Sequence, residues 1–452
     1  MIEISGKRIL VPGGAGKSGA AAAELFLRLG ATVILSDSDA ERKLPFQSIL
    51  AKEPSLAERL MDVRPADGIE VLEHRPDFVV TAPGVPLTLP LFGEARLRGI
   101  PVYGENDLAS ALIEQHWKKS PMICAITGTD GKSTTTALVQ SLAEAAGMTA
   151  IACGNFGIPL SSLVLLPESE QTSLLVVECS SFQLEPAQFL RAHVAFILNV
   201  NQDHLDRYAS LKEYLEAKLK ITNRQTSEDL FIAPGPILEA SKTSARRIAL
   251  ESLRAVQGDK IYFRGQLLGD RAVFRLPGSH NIANLECALA AIDDLATRAE
   301  KPVDSTRLLE LIGAFRGLPH RMEIVGDFRG IQFINDSKAT TVQAVCSGLT
   351  AFQGKRVALL AGGYDKGLSY APLSAFGAEI LAFGAAAQKI ARDTGTGRIY
   401  ENLSAAFNAA VEYCREGGVV YLGPACASYD QYNSYEERGD HFRKLCTQMF
   451  SQ

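Results

Sequence analysis

The sequence predicts an α/β protein built on three mostly parallel sheets, and two observations predict it. Short apolar runs alternate with helical patterns nearly throughout, and most of those runs end in polar or glycine-rich clusters. That is the pattern of parallel strands joined by crossover helices. The chain is also long, 452 residues with 46% hydrophobic and 21% charged side chains, enough for several domains each with its own core. The division expected is a Rossmann-like region at 1–105, a phosphate-loop NTPase-like region at 106–317 and a second Rossmann-like region at 318–452.

The first region opens with the strand Arg8–Val11 and the turn Gly14-x-Gly16-x-x-Gly19, followed by an Ala- and Leu-rich helix to Leu29. The strand Ala31–Leu35 then ends at Ser36-Asp37, and Phe78–Thr81 and Ile100–Tyr103 add further strands. The glycine turn with an acid at the next strand end suits a nucleotide ribose or base. Tight strand–helix packing accounts for it equally well.

The second region carries the most informative stretch, Ile126-Thr127-Gly128-Thr129-Asp130-Gly131-Lys132-Ser133-Thr134, between the apolar run Met122–Ala125 and a helical pattern. Glycines let backbone approach phosphate oxygens, and the helix start offers unpaired N–H groups to an anion. Lys132 adds a full charge for the β- and γ-phosphates, and Ser133 or Thr134 reaches Mg²⁺. The strands Leu174–Val177 and Ala195–Val200 follow, ending at Glu178 and before His204. A carboxylate and an imidazole beside a phosphate loop are candidate Mg²⁺ ligands, although Mg²⁺ prefers oxygen and His204 also reads as a loop histidine. Residues 225–275 look less regular, with strands expected at Lys260–Arg264 and Ala272–Leu276. Lys218 alone reads as a solvated helix lysine.

The third region follows Gly317-Leu318-Pro319-His320, with strands at Ile331–Ile334, Arg356–Leu360, Glu379–Phe383 and Val419–Leu422. Asp336-Ser337-Lys338-Ala339-Thr340, Gly362–Gly367 and Pro424–Asp430 each follow a strand. Singly they read as helix caps or turns. Five such clusters at strand ends in two regions point to one interdomain cleft.

Composition excludes several classes. A net charge of −5 offers no basic surface for nonspecific nucleic-acid binding, and no apolar run approaches the ~18–20 residues that span a bilayer. The first residues lack the pattern of a signal peptide, so a cytoplasmic protein without membrane insertion is expected, working as a monomer. Eight scattered cysteines without a Cys-x-x-Cys pair suggest neither zinc nor a disulfide framework. Cys179 is read as a packing residue.

Together these segments resemble the Mur ligases, and most closely their D-glutamate-adding branch. The resemblance rests on Thr127–Thr134, Glu178-Cys179-Ser180-Ser181-Phe182-Gln183-Leu184-Glu185, Gly317–Glu323, Asn335–Thr340 and Gly423–Tyr432 continuing to Gly439. It covers essentially the whole chain in order and is weakest in the first region. The family more often has Asn where this chain has Asp130.

The resemblance implies an ATP-dependent ligase of peptidoglycan precursor synthesis. It would join D-glutamate to UDP-N-acetylmuramoyl-L-alanine through an acyl phosphate, giving ADP and phosphate. It implies Mg²⁺ at two sites, with Ser133, Glu178, His204 and a carbamylated Lys218 as ligands; Lys132, His204 and Lys218 are the catalytic set. ATP contacts fall on Gly128, Thr129, Asp130, Gly131, Lys132, Ser133, Thr134, Asn284, Arg321 and Asp336. Ser18, Asp37, Ser38, Gly84, Asn155, Ser180 and Gln183 fall where the family holds its UDP-substrate. Lys338, Thr340, Lys366, Ser428, Tyr429 and Tyr435 fall at the D-glutamate pocket. On the residues alone a sister ligase or folylpolyglutamate synthase, a phosphotransferase and a nicotinamide-binding protein remain rivals. A non-catalytic scaffold is disfavoured because polar clusters end so many strands.

Overall fold

Four sheets hold the strands of the computed structural model, which describes residues 2–39, 41, 43–201, 207–365, 367 and 369–450. The first is five-stranded and parallel, in the spatial order Leu60–Asp62, Thr32–Ser36, Arg8–Pro12, Phe78–Thr81, Val102–Gly104. Its central strand, Arg8–Pro12, has sequence neighbours on one side and later strands on the other. The loops after Arg8–Pro12 and Phe78–Thr81 therefore diverge and leave a crevice at the carboxyl ends. Gly19 lets the following helix close on that turn, because a Cβ there would lie 2.3 Å from the Gly13 carbonyl oxygen.

The second sheet is six-stranded and parallel: Arg246–Ala249, Leu230–Ala233, Val194–Ile197, Met122–Thr127, Leu174–Glu178, Ala150–Gly154. Its inner strands are buried on both faces, which is why they read as continuous apolar runs rather than alternating ones. The third sheet runs Glu323–Phe328, Ile331–Asn335, Gly418–Leu422, Val357–Gly362, Glu379–Phe383, Arg398–Tyr400. Only its first pair is antiparallel. The α/β class and the parallel sheets expected from sequence are what the structure has.

One expected strand is corrected. Ala272–Leu276 is not a strand, and Arg271–Val273 is a turn of 3-10 helix. Arg264 and Gly265 are both left-handed, with φ of 51° and 75°, so the hairpin turns there. The returning strand is therefore Gln266–Asp270, in a small antiparallel sheet with Lys260–Phe263 and Val256–Gln257.

The chain forms two compact units, Met1–Val273 with Ala283–Gly313, and Phe274–Ile282 with Ala314–Gln452. The first unit holds both all-parallel sheets because they share one apolar core. Ile9, Val33 and Val80 of one sheet and Ile123, Leu175 and Phe231 of the other belong to it, with Leu108, Leu112 and Ile113 of the helix Glu105–His116 between them. Buried polar groups at the start of that helix fasten it. Asp107 accepts from the backbone N–H groups of Gln188, Phe189 and Leu190 at 2.9, 2.7 and 2.9 Å. Glu105 accepts from Ser161 N–H at 2.8 Å, and its other oxygen is buried with no partner among the described residues. Burial pushes the Glu105 carboxyl up to about 7.

In the second unit one cation ties three loops together. Arg438 is fully buried. Its guanidinium donates to Ser337 Oγ (3.0 Å), Ser337 O (2.9 Å), Gly362 O (3.3 Å), Ala427 O (3.2 Å) and Cys426 O (3.2 Å). These acceptors lie at or just beyond the ends of three different strands, so the planar fork of donors sets the spacing of their loops. Desolvation lowers the guanidinium from its ordinary value to about 10.

Two outcomes follow for stability. A carboxyl with a raised folded pKa stays protonated in the native state where the unfolded chain has already ionised, so stability falls as pH rises from about 4.5 to about 7. Glu105→Gln should remove a pH-dependent loss on the order of 3 kcal/mol, seen as a flatter melting temperature against pH; an unchanged profile would contradict it. Arg438→Met should cost roughly 2–4 kcal/mol, a fall of at least about 4 °C in the melting transition of its unit. A fall below 1 °C by calorimetry would show that the five bonds contribute little.

Candidate active site

The phosphate loop is built by register. Ile126 pairs with Glu178 and Phe196, so the strands Met122–Thr127, Leu174–Glu178 and Val194–Ile197 end nearly flush, and their loops share one edge. Gly131 then turns in the left-handed region (φ 81°) and caps the helix Lys132–Leu142. A Cβ there would sit 2.7 Å from Asn284 Oδ1, so glycine is required for the close approach as well as for the turn. Asn284 Oδ1 also accepts from Thr135 Oγ1 at 3.2 Å.

Two asparagines brace the loop from the next strand end. Asn199 Oδ1 accepts from Thr129 N–H (3.0 Å) and Asp130 N–H (2.8 Å), and its amide donates to Asp130 O (3.2 Å). Asn201 N–H donates to Thr129 Oγ1, and Asn201 Nδ2 donates to the Asp130 carboxylate at 3.2 Å. The carboxyl of Asp130 is thus placed against an amide. Lys132 Nζ donates to the Gly128 and Thr129 carbonyls at 2.9 and 2.7 Å. Thr134, next to Ser133, is half-buried.

Glu178 is buried at 1% exposure and sits between two donors. Ser133 Oγ donates to its Oε2 at 2.5 Å, and Asn155 Nδ2 to its Oε1 at 2.6 Å. Asn155 also lines a cavity of about 530 Å³ at the crevice of the first sheet. That cavity brings together Ser18, Asp37, Ser38, Gly84 and Asn155 of the expected UDP-substrate set. Asp37 itself holds the glycine turn, accepting from Ala15 N–H at 3.2 Å. Lys17 of the same turn donates to Gly157 O at 2.8 Å. Ser180 and Gln183 instead form a capping box at the helix Ser181–Leu184, and Gln183 Nε2 is buried with no partner among the described residues.

Lys218 is not the solvated lysine that its helix position suggests. It is 1% exposed and donates to Gly128 O at 2.9 Å and Thr127 Oγ1 at 3.5 Å, with its ammonium 4.3 Å from the Tyr214 ring centroid. His204 and Lys366 lie outside the described residues. Ser133 and Glu178 supply the hard oxygen donors that suit Mg²⁺, so the residues present fit that ion. An ammonium brings no such oxygen, so Lys218 fits a metal only when carbamylated. Cys179 is buried and its thiol is pushed up by desolvation, as suits a packing residue.

In the second unit Asp336 accepts from Tyr421 Oη (2.8 Å) and Met322 N–H (3.1 Å), and burial pushes it up to about 6. Arg321 is among the charges acting on it. Lys338 Nζ lies 4.0 Å from the Tyr435 ring centroid, and Tyr435 O accepts from Ser337 Oγ at 2.8 Å. Ser428 is buried beside the Ala427 carbonyl that Arg438 holds. Thr340 N–H donates to Lys338 O. Tyr429 is 74% exposed.

Sequence reasoning passed over Asn199, Asn201 and Thr135. The signal for the asparagines was their place directly after an apolar strand. Arg438 falls within the segment to Gly439 that carries the resemblance, but nothing signalled its burial, since an arginine on a charged helix reads as solvated.

The Mur ligase middle domain matches residues 126–292. UDP-N-acetylmuramoylalanine--D-glutamate ligase of Geobacter metallireducens is 37% identical, over 98% of this chain and 97% of its own. The protein of that name from Streptococcus pneumoniae is 34% identical over 97% of each. The crystal structure of the MurF ligase from Thermotoga maritima in complex with ADP has the same fold (TM-score 0.56, 14% identity, 93% of this chain and 96% of that one). With such identity over nearly its full length, the chain belongs to the UDP-N-acetylmuramoylalanine--D-glutamate ligases of the Mur ligase family.

Proposed function

We propose that the chain uses ATP to join D-glutamate to UDP-N-acetylmuramoyl-L-alanine, a step of peptidoglycan precursor synthesis. One observation carries the reading: the Glu178 carboxylate is hydrogen-bonded to Ser133 of the phosphate loop and to Asn155 of the nucleotide-sugar cavity. On this reading the sites for ATP and for the UDP-substrate are neighbours on one compact unit. A carboxylate activated by a phosphoryl group needs that adjacency. The names of the relatives supply the substrate pair. Residues 1–105 would hold the UDP-substrate, 106–317 ATP, and 318–452 D-glutamate. The free state of all eight cysteines suits the cytoplasm.

The alanine carboxylate attacks the γ-phosphorus of ATP and ADP leaves. The amine of D-glutamate, having lost its proton, attacks the resulting acyl phosphate carbon, and inorganic phosphate departs as the amide forms. The helix start at Lys132 points N–H groups at the phosphates, and Lys132 exchanges its bonds to Gly128 O and Thr129 O for phosphate oxygens. Asn199 and Asn201 hold the loop so that little reorganisation is needed during transfer. Glu178, Ser133, His204 and a carbamylated Lys218 would hold Mg²⁺, which when bound neutralises charge on the transferring phosphoryl group. Asn284, Arg321 and Asp336 are assigned to ATP. Lys338, Thr340, Lys366, Ser428, Tyr429 and Tyr435 are assigned to D-glutamate, where lysine ammoniums suit a dicarboxylate.

Phosphate release from ATP should require both UDP-N-acetylmuramoyl-L-alanine and D-glutamate, with L-glutamate, L-lysine and meso-diaminopimelate inactive. Release with either substrate alone, or a phosphorylated end product, would overturn the ligase reading. Lys132→Ala should lower kcat by on the order of 10²–10³ or more in the same assay. Lys218→Ala should lose activity that formate, acetate or propionate partly restores, because a small carboxylate replaces the missing carbamate oxygens; no restoration would remove the carbamate role.

A further inference from the structure

Arg207 joins the cavity loop 82–86 to Glu185, beyond the strand end that carries Glu178. The loop 82–86 lines the cavity and carries two prolines, Pro83 and Pro86, which have no N–H to donate. Its carbonyls are caught instead from the second sheet's side. Arg207 Nη1 donates to Pro83 O at 3.3 Å and Nη2 to Val85 O at 3.4 Å, on either side of Gly84. The same guanidinium is fixed from behind. Nε and Nη2 donate to the two oxygens of Glu185 at 3.1 and 2.8 Å, and its Cζ lies 4.0 Å from the Phe182 ring centroid. The pair is largely buried, at 9% and 16% side-chain exposure. Tyr208 Oη also donates to Glu185 Oε1 at 2.5 Å.

Every donor of this fork is aimed by planar geometry, which an ammonium cannot reproduce. The segment that holds it, Phe182–Glu185, directly follows Glu178 and Ser180. The position of the Gly84 backbone is thereby tied to the strand end that carries Glu178. We propose that Arg207 is a positioning residue that sets the grip of the loop 82–86 on the UDP-substrate, and so delivers that substrate to the phosphate loop. The proposal rests on the reading of the 530 Å³ cavity as the UDP-substrate site.

The test measures steady-state constants for all three substrates, and binding of UDP-N-acetylmuramoyl-L-alanine by calorimetry. Wild type, Arg207→Met, Arg207→Lys and the double variant Arg207→Met/Glu185→Gln are compared. Arg207→Met should raise KM for the UDP-substrate at least tenfold and leave KM for ATP and D-glutamate within twofold. Arg207→Lys should be intermediate. The double variant removes the carboxylate charge left without its guanidinium, so it should regain melting temperature but keep the raised KM. A fall in kcat with all three KM values unchanged, or a normal KM in the double variant, would overturn the proposal while leaving the cavity's assignment intact. No binding of the UDP-substrate by wild type would overturn the cavity's assignment, and this proposal with it.

Discussion

The buried Glu178 carboxylate, shared between Ser133 and Asn155, is the contact on which the rest of the first unit depends. It exists because three parallel strands end flush. A one-residue slip of Leu174–Glu178 against Met122–Thr127 would turn Glu178 to the other face and break both hydrogen bonds. Asn199, at the end of the third strand, braces the same loop from the opposite side. Register therefore does the work that a flexible assembly of loops could not do. It places a phosphate loop, a carboxylate and the rim of the first sheet's cavity along one sheet edge.

The two units solve related problems with opposite charges. In the first, an anion at a strand end is satisfied by a hydroxyl and an amide. In the second, the cation of Arg438 is satisfied by four backbone carbonyls and one hydroxyl. Each buried charge fixes the loops around it, because leaving any of its partners unpaired would be costly. Such groups are poor choices for stability alone, and their cost is consistent with a role in shaping sites. The buried polar start of the helix Glu105–His116 follows the same logic where the two parallel sheets share a core.

Much of this was legible in the sequence, and the limits are physical. Both glycine turns announced themselves because tight strand–helix turns need glycine. The inner strands were visible because burial on both faces makes them continuously apolar. Edge strands such as Leu60–Asp62 and Arg398–Tyr400 are too short and too exposed to carry that signal. Lys218 could not be seen as buried, since its helix neighbours Lys212, Glu213 and Glu216 are those of a solvated face; only tertiary packing against Tyr214 and the loop carbonyl of Gly128 encloses it. The bracing asparagines were masked by the more conspicuous histidine nearby. The strand expected at 272–276 failed because a left-handed pair at Arg264–Gly265 brought the chain back earlier.

The central claim is that the substrate's alanine carboxylate meets the γ-phosphate at this sheet edge and passes one of its oxygens to it. Oxygen-18 placed in the alanine carboxylate of UDP-N-acetylmuramoyl-L-alanine tests it directly, by mass spectrometry of the released phosphate after a single turnover in ordinary water. The account predicts one labelled oxygen in each phosphate and the other in the amide of the product. Phosphate carrying no label, with ligation proceeding normally, would contradict it.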